Sequence, residues 1–276
     1  MKPFETYVKE WEKNAAKDAY WAVLTSSQYE QKEWDKEIFF QSGQQEIARL
    51  IEYIQKIPLQ IDLSGNALDF GCGTGRLTQA LSGRFTRVYG VDVSANMVEK
   101  ARAALLPSMK NIELLHNPAT NLRLFKDETF NFIYSNIVMQ HIALRHQMQY
   151  LEEFARVLKK GAWLVVQIPS KKNNHCWKGK VKEACVQLLP YKMKKWLLIH
   201  IFKNKAKALK EFDFEMNTRS EHSMERYAFK NGLKIHHVAY TNSCEPDFGG
   251  NLMFRTQAEA ADIPGYLSPM YFLQKQ

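Results

Sequence analysis

Asp69-Phe70-Gly71-Cys72-Gly73-Thr74-Gly75-Arg76 is the segment of this chain best suited to chemistry. Apolar Ala67-Leu68 precede it and Leu77-Thr78-Gln79-Ala80-Leu81 follow, so a strand, a glycine-rich turn and a helix arrive in quick succession. That context lets backbone N–H groups cradle a nucleotide-like ligand. Gly71, Gly73 and Gly75 permit positive φ and a close approach that a Cβ would obstruct. Asp69 stands two residues before the first glycine, where it would repel a pyrophosphate but welcome a cationic amino group.

A second acid extends the pattern. Arg87-Val88-Tyr89-Gly90-Val91-Asp92 is an apolar run closed by a carboxylate, which at the end of a second strand can accept from both ribose hydroxyls. Ser94 is placed to cap the helix that follows. A ligand with an adenosyl end and a positively charged end satisfies both acids, and S-adenosylmethionine is such a ligand. With Leu68 to Gly75 as first motif and Gly90-Val91-Asp92-Val93-Ser94-Ala95-Asn96-Met97 as second, the chain resembles the class I S-adenosylmethionine-dependent methyltransferases, the bacterial small-molecule type in particular.

The resemblance implies an α/β fold: a Rossmann-like, mostly parallel sheet of seven strands with helices on both faces. The chain's own pattern agrees. Asn111 to Leu115, Phe130 to Ser135 and Trp163 to Ile168 are β-prone and apolar, and Met148, Leu151, Phe154, Ala155 and Leu158 repeat at helical spacing between the last two. Lys159-Lys160-Gly161 is expected to end that helix. Met224 to Lys230 reads as a helix, Leu233 to Tyr240 as a strand, and Asn251 to Thr256 as the final antiparallel strand. Four regions are expected: a helical cap over 1–42, the cofactor-binding core over 43–170, an insertion over 171–212, and completion of the sheet over 213–276.

Carried onto this sequence, the resemblance gives a cofactor set of Asp69, Gly71, Cys72, Gly73, Gly75, Asp92, Val93, Met97, Asn121 and Asn136, with S-adenosyl-L-homocysteine as product. Asn121 enters because Asn117 to Leu122 lacks the acid the family often places near the adenine amine, and a side-chain amide oxygen can accept there instead. Asn131 replaces a further family acid whose role reads as structural. After the fourth strand, Ser135-Asn136-Ile137-Val138-Met139-Gln140-His141-Ile142 carries His141, the candidate general base, and Gln140 beside it, at the sheet end where such folds bind ligands. The other reading of His141 is a helix-start residue bonded to backbone. The aromatic leader, residues 4 to 42, offers Tyr20 and Trp34 as substrate contacts alongside Gln140 and His141, although rings of this kind also pack a capping helix.

Between Lys171 and Lys210 stand twelve lysines and one acid, a surplus larger than the +9 of the whole chain. Trp177, Val181, Ala184, Cys185 and Leu188 form an apolar stripe there. A lid over the substrate is the leading reading; peripheral contact with an anionic membrane or a lipid-like acceptor through 177–207 is the second, and an acidic polymer the third. No nucleic-acid-reading motif accompanies the charge. Four cysteines without a paired spacing, a polar amino terminus and no long apolar run predict a cytoplasmic protein with free thiols and no metal. Methyl transfer to a small molecule is therefore the expected activity. A lipid-like acceptor, or a scaffold that binds adenosyl ligands without turnover, are the alternatives.

Overall fold

The computed structural model describes residues 3–24, 34–173, 216–245, 248–263 and 265–276. Most of the basic insertion, with the lid and membrane readings that rest on it, lies outside them.

Two helices come first, α1 (Phe4–Val23) and α2 (Lys36–Lys56). Asp35 starts α2 by accepting from the Glu37 and Ile38 amides. The helix runs straight through the boundary expected between residues 42 and 43. There follow β1 (Asn66–Phe70), α3 (Arg76–Ser82), β2 (Arg87–Asp92), α4 (Ala95–Ala103), β3 (Ile112–His116), β4 (Phe130–Ser135), a 3-10 turn at Met139–His141, α5 (Leu144–Val157) and β5 (Leu158–Gln167). The described remainder holds β6 (Lys171–Asn173), α6 (Glu221–Lys230), β7 (Leu233–Thr241), β8 (Phe254–Arg255), α7 (Gln257–Ala261), β9 (Gly265–Leu267) and β10 (Pro269–Lys275).

Eight strands form the main sheet in the order β3-β2-β1-β4-β5-β10-β7-β8, one more than expected, and β6 pairs with β9 apart from it. The strand not expected is β10; the two-residue β8, paired with β7 at the edge, falls within Asn251 to Thr256. Strands β1 to β5 are parallel neighbours, while β10 runs antiparallel to both β5 and β7. Asn251 to Thr256 thus supplies only the short antiparallel edge strand β8, and the last strand, lying between β5 and β7, is Pro269–Lys275. Lack of alternation explains the miss: Met270 to Leu273 are all buried, since both faces of a central strand are covered. Nor does Lys159-Lys160-Gly161 end a helix; α5 stops at Val157, and these residues open β5 with Gly161 at φ 76°.

Each face of the sheet carries its own core. Leu68, Phe70, Ile133, Leu164 and Val166 pack with Leu151 and Phe154 of α5 and Tyr227 of α6. Ala67, Val88, Phe132, Tyr134 and Val165 pack on the other side with Ile47, Leu50 and Ile51 of α2 and Leu77 and Leu81 of α3. The order reverses at β1, between β2 and β4, so the carboxyl ends of those strands open into one crevice.

Candidate functional site

At that crevice lies a cavity of about 570 Å³, within the range of small-molecule sites. Its floor is the glycine turn. Gly71 has φ 76° and Gly73 φ 51°, and a Cβ would come within 2.4 Å of Val138 at the first and 2.6 Å of Val23 at the second. Only glycine fits either place. Gly75 caps α3 in the left-handed region and lies outside the lining, as does Asp69.

Asp92 lines the cavity, with the Gly73 amide donating to its Oδ2 at 2.8 Å and the Ser94 amide to its Oδ1 at 2.9 Å. Each oxygen keeps lone-pair capacity for a further donor. Burial raises its pKa, those amides lower it, and the nearby Glu12 charge raises it. Cys72, Val93 and Met97 also line the wall.

Asp69 is instead sealed beneath the turn, 1% exposed, and accepts from Thr78 Oγ1 at 2.6 Å. Burial, opposed by that bond and by Arg76, pushes its carboxyl up to about 7. Any influence on a ligand is exerted through its field rather than by contact. A raised folded-state pKa contributes stability that is complete below the ordinary carboxylate range near 4 and is lost as pH rises through about 7. Between about pH 4 and 7 the parent should therefore lose stability relative to Asp69→Asn, with a slope difference of up to about 1.4 kcal/mol per pH unit. Urea midpoints across that window measure it. Parallel pH profiles would contradict the burial account.

A buried ion pair underlies the other end. Glu46 of α2 and Arg76 of α3 meet at 2.7 Å with 0% and 1% side-chain exposure. Tyr134 Oη donates to Glu46 Oε1 at 3.1 Å and Asn136 Nδ2 donates to the same oxygen at 2.8 Å. That second bond fixes the amide of Asn136, which lines the cavity and is 2% exposed. Its Oδ1 is left without a partner in the protein, as is Nε of Arg76, another lining residue. Buried polar atoms are nearly always satisfied, and Thr74 Oγ1, Ser170 Oγ and Tyr271 Oη are left in the same way. Next to Asn136, Ile137 sits at φ 55°, a strained conformation for a β-branched residue, with its amide donating to Gln167 Oε1 at 3.1 Å.

Gln140 and His141 line the cavity from the 3-10 turn. Their Nε2 atoms lie 3.3 Å apart, and the His141 ring meets Trp11 edge-on at 5.5 Å. Cys244 Sγ donates to Gln140 Oε1 at 3.2 Å, and burial raises that thiol to about 11, which keeps it protonated.

Besides Asp69 and Gly75, three expected residues are placed elsewhere. Asn121 is outside the lining; its Oδ1 accepts from the Arg123 amide, and Asn117, whose Nδ2 donates to the Asn121 carbonyl, reaches the cavity instead. Tyr20 packs edge-on against Phe39 at 4.8 Å and faces a separate surface hollow beside Phe40 and Lys100. Trp34 is buried against Phe39 at 5.5 Å. Both rings serve the α2 core because Phe39, fully buried, needs aromatic neighbours on that side. The rings that do enter the cavity from the leader are Phe4, Tyr7 and Trp11, spaced three and four apart on one face of α1. Glu46 was also legible: it interrupts the apolar stripe Phe39, Gly43, Ile47, Leu50 and Ile54 of α2, and a buried acid calls for a buried cation.

Residues 67–161 match the family described as "Methyltransferase domain". The demethylmenaquinone methyltransferase of Shouchella clausii is 33% identical over 111 residues, 39% of this chain and 46% of that protein. The chain spans about half the length of the curated relatives it matches. Among solved structures, a SAM-dependent methyltransferase of Leishmania major superposes with TM-score 0.57 at 12% identity, over 98% of this chain and 82% of that one. The magnesium protoporphyrin IX methyltransferase of Synechocystis, solved with bound SAH, gives 0.53 at 16% identity, over 87% and 86%. Residues 67–161 thus match a methyltransferase domain, and the chain shares the fold of these S-adenosylmethionine-dependent methyltransferases.

Proposed function

We propose that the chain binds S-adenosylmethionine in the 570 Å³ cavity and transfers its methyl group to a small-molecule acceptor. The observation that carries the reading is the set of groups waiting at fixed places around one cavity. Asp92 stands where ribose hydroxyls donate, beside a turn only glycines can form. Asn136 and Arg76, in the lining of the same cavity, suit the ammonium and carboxylate of the methionine end. Val93 and Met97 supply apolar surface for the adenine, with the Asn117 amide at its edge.

The bound cofactor supplies a methyl group already activated by its sulfonium. What remains for the protein is to align the acceptor behind the methyl and to exclude water. Trp11, Ile142, Met216 and Phe248 line the cavity with apolar surface suited to both tasks. Gln140 and His141 stand where they can orient an acceptor, and His141 is the candidate for taking its proton. If His141 is the base, His141→Asn should lower turnover about 10²–10⁴-fold with cofactor affinity unchanged. Turnover within about threefold of the parent would assign the ring to support of Trp11.

Calorimetric titration with S-adenosyl-L-homocysteine tests the reading directly. One saturable site per chain is expected. No binding at millimolar ligand, measured at two temperatures, would overturn it.

A further inference from the structure

Helix α1 lines the cavity with Phe4, Tyr7, Trp11, Ala22 and Val23, and Leu24 follows at its C-cap. Two features hold it against α4. One is a face of small side chains: Ala15, Ala19 and Ala22 are buried against Met97, letting the helix lie close to the cofactor wall. The other is Glu12. Its Oε1 accepts from the Ala95 amide at 2.5 Å, and its Oε2 from Ser94 Oγ at 3.1 Å, the Asn96 amide at 3.3 Å and Asn96 Nδ2 at 2.6 Å.

Those donors form the first turn of α4, whose amides have no partners within their own helix and carry partial positive charge. A helix normally fills this end with a local cap. Here Ser94 does so for the Met97 amide, and a carboxylate from more than eighty residues away takes the rest. Ser94 is two residues beyond Asp92, so the attachment sits beside the group assigned to the ribose. At the far end of α1, Val23 closes on Gly73. A ligand lying between the glycine turn and α1 would be in contact with the helix.

We infer that Glu12 is a positioning residue for cofactor binding: its carboxylate latches α1 to the N-terminus of α4 and so sets how long the cofactor stays in the cavity. This rests on the cavity being the cofactor site. The group does not touch the ligand; it acts through the helix that does. Charge matters as well as shape, because Gln in its place would present an amide N–H₂ toward other N–H donors.

Stopped-flow displacement of S-adenosyl-L-homocysteine provides the test. Glu12→Ala should raise the dissociation rate about tenfold or more, with Glu12→Gln intermediate and the association rate changed far less. Ser220→Ala is the control. Ser220 caps α6 through the Ser223 amide and does not line the cavity, and its loss should lower stability comparably while leaving dissociation unchanged. Hydrogen exchange should show α1 amides less protected in Glu12→Ala with the ligand bound, and β1 and β4 unaltered. An unchanged dissociation rate in Glu12→Ala would overturn the inference while leaving the cofactor site standing. Equal acceleration in Ser220→Ala would also overturn it, as would α1 protection equal to the parent's. Failure of the parent to bind the ligand at all would remove the cofactor reading and the latch together.

Discussion

Asp92→Ala is expected to weaken S-adenosyl-L-homocysteine binding by about 2–4 kcal/mol, roughly 30- to 900-fold. The loss has two physical sources. Ribose hydroxyls lose a charged acceptor. The Gly73 and Ser94 amides lose the carboxylate that holds the glycine turn against β2. Asp92→Asn separates them, because its single amide oxygen can accept from one amide but carries no charge. Its affinity should fall between parent and alanine. Titration of all three proteins, with thermal unfolding to confirm that they remain folded, gives the order. Parent-like affinity in Asp92→Ala would place the adenosyl group elsewhere.

The largest effect on stability is expected at Glu46. Glu46→Leu leaves the Arg76 guanidinium fully buried without its counter-charge and should cost about 3–5 kcal/mol. It also removes the acceptor that orients the Asn136 amide, so ligand affinity should fall in the same variant. Pairing it with Arg76→Leu should restore much of the stability, since an apolar pair of similar volume avoids the desolvation cost of both ions. Affinity should not recover with it, because Asn136 remains unheld. Chemical denaturation and ligand titration on the single and double variants separate the two consequences. A single variant as stable as the parent would contradict the buried pair.

Much of this arrangement is legible in the chain because its signals are local. The glycine turn, Asp92 and Ser94 each act within a few residues of their own position, so type and spacing suffice. Strands β1 to β5 declare themselves by apolar runs between helical repeats. The antiparallel strand does not: Asn251 to Thr256 has turn residues and short alternation, while Pro269–Lys275 is a buried run at the end of the chain that pairs with β5 more than a hundred residues away. Contacts across the molecule were harder still. Glu12 meets α4, and Cys244 meets Gln140, through folding alone, with no pattern in either segment announcing the partner. The aromatic leader shows the middle case. Its rings promised cavity contacts: Tyr7 and Trp11, one turn apart on α1, enter, while Tyr20, beyond the kink at Asp18, and Trp34, before α2, pack around Phe39.

Methyl transfer itself is tested most directly with S-adenosylmethionine labelled in its methyl group, incubated with the protein and a bacterial metabolite extract. The account predicts label in a small-molecule product, formed with the parent protein and lost with Asp92→Ala. Label that stays on the cofactor while the parent binds it, across extracts rich in polar and in apolar acceptors, would contradict catalysis and leave a binding protein in its place.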